Sequence, residues 1–231
     1  MKTSQKRETA RKELYGFQVG KEPEVLYTPL KRKLKFENYY KICVSGAAAG
    51  VFPKAATEMA FEVGRQIGLQ GAVLLTGATT GIPYIAANGN HDVGGLAIGF
   101  SPASSAKEHV RSYRLPIEYH DVIVYTGFNY SGRNLLLTRA SDAVITIAGR
   151  IGTLNEFTIA FEDKKVCGIL EGSGGMADHI RELINLGQKK ADHVIFDTDP
   201  KRLVARVVAK LKDGYQAEGA ARGTRDIDGV F

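Results

Sequence analysis

The sequence predicts an α/β fold, a three-layer sandwich with a mostly parallel sheet of about seven strands between helices. Short apolar runs alternate with segments whose apolar positions recur at helical spacing, which is the pattern of βαβ units. Most of these runs are continuously apolar rather than alternating, as strands covered on both faces are. Glycine-rich turns follow Ser45, Thr76 and Ala148, each at a strand end where parallel sheets receive ligands.

Each element follows from local chemistry. Lys41–Ser45 reads as the first strand, with Gly46 and Gly50 in the turn behind it. Pro53 suits the first turn of a helix, and Ala56, Met59, Ala60, Val63 and Ile67 then recur at helical spacing up to Gly68. Ala72–Thr76 is the second strand, followed by the turn Gly77–Gly81 and a short helix from Ile82 to about Asn88. Leu96–Phe100 is the third. Residues 101–119 hold two prolines and several charges without a period, so they read as a long loop or lid with one helical turn at most. Val122–Tyr125 is the fourth strand, Ser131–Ala140 a helix, and Ala143–Ala148 the fifth strand. A helix over Thr153–Glu162 and a sixth strand over Val166–Leu170 follow. Met176–Leu186, His193–Phe196 and Pro200–Leu211 complete the chain as helix, strand and helix.

A length of 231 residues supports one large domain with extensions, expected as a basic arm over 1–37, a body over 38–213 and a tail over 214–231. No apolar run approaches the ~20 residues a membrane span needs, and the first residues are charged rather than signal-like. Cys43 and Cys167 both fall in expected strands, so buried reduced thiols and a cytoplasmic setting are expected. Residues 1–36 hold ten Lys or Arg against four Glu, while the remainder has 21 of each sign. The basic excess therefore belongs to the arm. One short cluster, Lys31–Lys35, is narrower than a nucleic-acid face usually is, so neither nucleic acid nor membrane is an expected partner. The five histidines show no metal spacing, and His91 with Asp92, which follow the second glycine turn, read as loop residues that could reach the site.

The richest stretch runs from Arg133 to Glu156. Its strand ends on Ala148-Gly149-Arg150-Ile151-Gly152-Thr153-Leu154-Asn155-Glu156, a glycine turn opening a helix. Such a turn presents unpaired N–H groups and a positive dipole end to an anion. Thr153 and Glu156 also fit a capping box, in which Thr153 would bond the Glu156 N–H and the carboxylate would reach back. Arg133 is a natural phosphate partner through its planar fork, and an ordinary helix arginine otherwise. Gly46, Ala47, Gly77, Ala78, Gly81, Asn134, Gly149, Arg150, Gly152 and Thr153 complete the expected nucleotide- and phosphate-binding set.

This stretch resembles the Pro-Gly-Gly-x-Gly-Thr-x-x-Glu signature of the "lonely guy" family, once taken for lysine decarboxylases. That family sits in a Rossmann-like superfamily with the DNA-processing protein A group and the molybdenum cofactor carrier proteins. Leu75–Gly81 and Gly94–Gly99 extend the likeness over roughly 41–170. The resemblance implies a Rossmann-like domain, a homodimer, and a phosphoribohydrolase that cleaves a nucleoside 5′-monophosphate into free base and ribose 5-phosphate. Arg133 and Glu156 would then be catalytic, and no metal or redox cofactor would be required. The departures are Asn134 where hydrolytic members have lysine, Arg150 for a motif glycine and Ala148 for the motif proline. The Arg133-Asn134 pair and Arg150 favour a second reading, a nucleotide or molybdenum-cofactor binding module without turnover. Kinship and the basic arm leave single-stranded nucleic-acid binding as a third, and nothing suggests a pyridoxal phosphate site for lysine decarboxylation.

Overall fold

The computed structural model describes residues 39–49 and 53–222, with the side chains of 215–222 excepted. The basic arm, Gly50 and the end of the tail lie outside these residues. Seven strands form one sheet: β1 (Lys41–Gly46), β2 (Val73–Thr76), β3 (Leu96–Ser101), β4 (Val122–Tyr125), β5 (Ala143–Ile147), β6 (Val166–Leu170) and β7 (Val194–Asp197). Their order is β4-β3-β2-β1-β5-β6-β7, and every neighbouring pair is parallel. The helices are α1 (Lys54–Leu69), α2 (Ile82–Asp92), α3 (Ala106–Arg111), α4 (Asn129–Ala140), α5 (Ile151–Glu162), α6 (Ile180–Leu186) and α7 (Pro200–Arg222), with a 3-10 turn over Gly175–His179.

The period of two along each strand sorts the core into two layers. Ile42 and Val44 of β1, with Ala143, Ile145 and Ile147 of β5, pack under α1, α2 and α7. Cys43 and Val144 face the other way, against Leu137 of α4 and Phe157, Ala160 and Phe161 of α5. Truncating the fully buried Ile145 to alanine would cost about 2–5 kcal/mol, since a dry core relaxes only partly around a lost side chain. Two glycines lock α1 to α2: a Cβ on Gly64 would stand 1.9 Å from the Ala86 carbonyl oxygen, and one on Gly89 would stand 2.0 Å from that of Phe61.

The chain runs outward from β1 through β4, then returns across the sheet to place β5 on the other side of β1. This reversal opens a crevice beyond the carboxyl ends of β1 and β5, with α1 on one face and α5 on the other. The expected lid contains α3, a two-turn helix that Ser105 caps by accepting from the Glu108 N–H. The helix after β2 runs to Asp92 rather than Asn88, so His91 falls inside its last turn. His91 is therefore an exposed helix residue beside Tyr119 and not part of a loop.

Candidate functional site

Three strand ends, β1, β2 and β5, converge on one buried ion pair. Arg133 comes from the second turn of α4 and Glu156 from the second turn of α5. The Arg133 Nη1 donates to Glu156 Oε1 at 2.7 Å, and the Ser45 hydroxyl at the end of β1 donates to Oε2. Ser45, Arg133 and Glu156 are 1%, 5% and 6% exposed. Gly77 makes room for the guanidinium, because a Cβ there would lie 2.5–2.7 Å from its atoms. The Arg133 Nε and the hydroxyl of Thr146, the register partner of Ser45 on β5, are buried without hydrogen-bond partners among the described residues.

Burial pushes the Glu156 carboxyl above the ordinary glutamate range, because desolvation penalises the charged form more than Arg133 and Ser45 favour it. The Cys43 thiol beneath the pair is raised well above its usual range, first by burial and then by the nearby Glu156 charge. It is a core thiol and not a nucleophile.

The capping box does not form. Helix α5 starts at Ile151, two residues earlier than the sequence suggests, and Arg150 holds the cap position without a side-chain bond. Thr153 and Glu156 therefore stand inside the helix, and the carboxylate goes to Arg133 and Ser45. The first intrahelical bond runs from the Leu154 N–H to the Arg150 carbonyl at 2.9 Å, which leaves the N–H groups of Ile151, Gly152 and Thr153 for another partner. Gly152 is exposed, and a Cβ on it would meet nothing within 4 Å. Arg150 and Ile151 are exposed beside it, so the helix start opens onto free space.

The remaining expected residues divide into two groups. Gly46, Ala47 and Gly81 serve each other: the Ile82 N–H donates to the Ala47 carbonyl at 3.0 Å, and a Cβ on Gly81 would lie 2.2 Å from that oxygen. Ala78, Ala148 and Gly149 shape the turns themselves, all with positive φ. Ala78 and Ala148 sit there at about 1–2 kcal/mol each relative to a glycine, and each is held by a hydroxyl. The Ala78 N–H donates to Thr76 Oγ1 at 3.0 Å, and the Ala148 N–H to Ser173 Oγ at 2.8 Å. Asn134 donates to Asn155 at 3.0 Å and ties α4 to α5.

Sequence reasoning missed Ser45, Ser173 and His120, and took Thr76 only as the start of the second glycine turn. His120 Nδ1 faces the Glu118 carbonyl and must donate to it, so Nε2 accepts the Thr76 hydroxyl at 2.7 Å. Burial lowers its pKa to about 4. His109 is fixed in the same way between Ser101 and the Pro116 carbonyl. A hydroxyl as the last or next-to-last residue of a strand is the one signal that recurs in the sequence, at Ser45, Thr76 and Ser101. Phe128 and Tyr130 stand exposed at the start of α4, one turn before Arg133, with Tyr113 packed edge-on against Tyr130.

A doubly wound parallel sheet with an arginine–glutamate pair under an open helix start defines a Rossmann-like α/β protein. The chain belongs to the SLOG cluster4 family, whose profile matches residues 39–204. It is 29% identical over 117 residues to an uncharacterised protein of Archaeoglobus fulgidus, covering 51% of this chain and 72% of that one. Among solved structures it is similar to the molybdenum cofactor binding protein of Rippkaea orientalis, at 24% identity and a TM-score of 0.63, over 76% of this chain and 99% of that one. The molybdenum cofactor carrier protein of Chlamydomonas reinhardtii matches at 24% identity and a TM-score of 0.63, over 77% and 99%. DNA processing protein A of Streptococcus pneumoniae matches at 20% and 0.54, over 72% and 61%. These structural likenesses show a shared Rossmann-like fold. Among the described residues no helix is long and apolar enough to cross a membrane, and no group of three potential ligands could hold a metal ion.

Proposed function

We propose that this chain binds a phosphorylated, nucleotide-like small molecule at the carboxyl edge of β1, β2 and β5, and holds it without turnover. The phosphate meets the free N–H groups of Ile151, Gly152 and Thr153, where the helix dipole favours an anion. Arg150 adds a mobile cation at the rim. The Arg133–Glu156 pair forms the floor, and Phe128 and Tyr130 offer flat faces near the mouth. One observation carries the choice of binding over catalysis. Both Glu156 oxygens are engaged, one by Arg133 and one by Ser45, so neither is free to activate water. The names of the similar molybdenum cofactor proteins support a carrier or sensor role.

The phosphoribohydrolase reading is favoured by a separate observation. Glu156 is a buried carboxyl of raised pKa, and a ligand that drew Arg133 away would release one of its oxygens. A homodimer accords with the apolar side chains that α4 leaves exposed, Leu135 and Leu136, and with the exposed Ile151 at the start of α5.

Incubation with a panel of nucleoside 5′-monophosphates and with molybdenum cofactor, read by thermal shift and by chromatography of free base, separates the readings. Stabilisation without base release is the expected result. Release that vanishes in Glu156→Gln establishes the hydrolase instead. No stabilisation by any member of the panel overturns the nucleotide-like ligand.

A further inference from the structure

A second cluster of charge lies at the opposite edge of the sheet, where β6 and β7 begin. Lys164, Lys190, Asp192, His193 and Lys210 line a concavity of about 440 Å³. That volume falls in the ~300–1,000 Å³ range of small-molecule sites and exceeds what a single phosphate fills. Lys189 is paired with Glu162 at 3.5 Å, but Lys164, Lys190 and Lys210 have no ion pair among the described residues. Three ammonium groups thus gather against one carboxylate, an arrangement that repels itself until an anion joins it.

Helix electrostatics explains part of this cluster. Lys164 follows the end of α5 and Lys190 lies just past α6, where cations offset the partial negative charge of the last carbonyls. It does not explain Lys210, which sits midway along α7. Nor does it explain Lys164 standing at φ 57°, the left-handed position that glycine usually takes after a helix. His193 is the fourth polar group. Its ring lies 4.8 Å from Phe161, and its Nε2 is 3.1 Å from the Phe161 carbonyl oxygen. A carbonyl only accepts, so Nε2 carries the proton and Nδ1 is the nitrogen left to take up another.

We propose that Lys164, Lys190, Lys210 and His193 form a second anion site, built for the phosphate chain of a di- or triphosphate and separate from the site at β1, β2 and β5. The three ammonium groups supply the charge. His193 takes a proton at Nδ1 as the anion arrives and donates it as a further hydrogen bond, while Nε2 stays on Phe161. Without ligand, burial and the charges of Lys164 and Lys210 hold the imidazole below its ordinary pKa, against the opposing pull of the Phe161 carbonyl and Asp192. An anion among the lysines reverses the largest of these charge effects. The bound molecule is either inorganic polyphosphate or a nucleoside triphosphate, which share this chemistry.

The test titrates the full chain with sodium tripolyphosphate at low salt, following heat by calorimetry and the histidine ring protons by NMR. His193 is assigned through His193→Gln, with the exposed His179 as internal control. The expected result is saturable binding, with the His193 titration midpoint raised by more than about half a unit and His179 unmoved. Lys164→Ala/Lys210→Ala should weaken binding at least about tenfold and abolish the His193 shift, whereas Lys107→Ala/Lys201→Ala should change affinity less than about twofold. A nucleoside triphosphate that binds like tripolyphosphate shows that the phosphate chain alone is held, and tighter binding shows base contacts; both uphold the site. Binding that leaves His193 unmoved places the anion elsewhere and overturns the proposal. So do equal losses in the two double variants, or no saturable heat at low salt.

Discussion

Two carboxylates in this molecule are held by arginine, and their acidities move in opposite directions. Asp197, at the end of β7, receives Arg202 Nε at 2.8 Å and Nη2 at 2.5 Å, together with Arg206 Nη1 at 2.9 Å. The arginine side chains are 61% and 50% exposed, so solvent bears much of their charge. The Arg202 hydrogen bonds hold the Asp197 carboxyl well below its usual range. Glu156 is as buried as Asp197, 6% exposed in each case, and has an arginine as close, yet its carboxyl is raised. Its single arginine is buried with it, whereas Asp197 has two arginines that reach solvent and the Asp199 N–H besides. A cation beside a carboxylate does not fix its protonation; the accompanying loss of solvent decides which effect wins. The Asp197 cluster pins a sheet end. The Glu156 pair holds two helices and three strand ends around a cleft.

The largest effect expected is on removing one member of the buried pair. Arg133→Leu leaves Glu156 buried without its cation and should cost about 3–5 kcal/mol in denaturant unfolding. A loss below about 1 kcal/mol would mean that the pair opens to water. Arg133→Met combined with Glu156→Leu should recover at least half of that loss, since neither buried charge remains. A double variant no better than the single one would break the contrast with Asp197. Gly77→Ala should cost about 1–3 kcal/mol by pressing a methyl group into the guanidinium, and should weaken ligand-induced stabilisation in a thermal-shift assay.

The smallest effects are in pH dependence, and their signs are opposite. The Asp197 contribution is present above the unfolded aspartate value of about 3.9 and is lost as the pH falls through the depressed folded value. Asp197→Asn should therefore lower the melting temperature by roughly 2–4 °C at neutral pH, with the difference closing in acid. The Glu156 contribution is complete below the unfolded glutamate value of about 4.3 and is lost as the pH rises through the raised folded value. Glu156→Gln should gain stability relative to the parent as the pH rises from 4 toward 7. Melting curves that change with pH in the same direction for both variants would erase the distinction.

The same contrast explains what the sequence disclosed. Strand positions were legible because the β1, β2, β5 and β6 runs are buried on both faces, so their apolar character is continuous and local. The glycine turns after Ser45, Thr76 and Ala148 were legible too, and they lie at the carboxyl ends of β1, β2 and β5. Partnerships across the sheet were not legible. Thr-x-x-Glu at a helix start satisfies a local rule, yet Glu156 answers to Arg133, 23 residues away, and to Ser45, 111 residues away. His91 was misplaced because Gly89, a helix breaker by propensity, lies inside α2 where it admits the backbone of α1. Ser173 left no signal at all, because its role is to hold a backbone turn that only the assembled sheet brings near.

The place of β1 in the strand order also bears on how the chain is made. Its partners are β2 on one side and β5 on the other, and Lys41 meets Asp142 across a sequence separation of 101 residues. At a synthesis rate of roughly 5–20 residues per second, β1 leaves the ribosome about 5–20 s before the strand that covers its second edge. During that interval the first half of the domain carries Ile42, Cys43 and Val44 along an unpaired, apolar strand edge, the kind of surface that nascent chains exchange with one another or hand to chaperones.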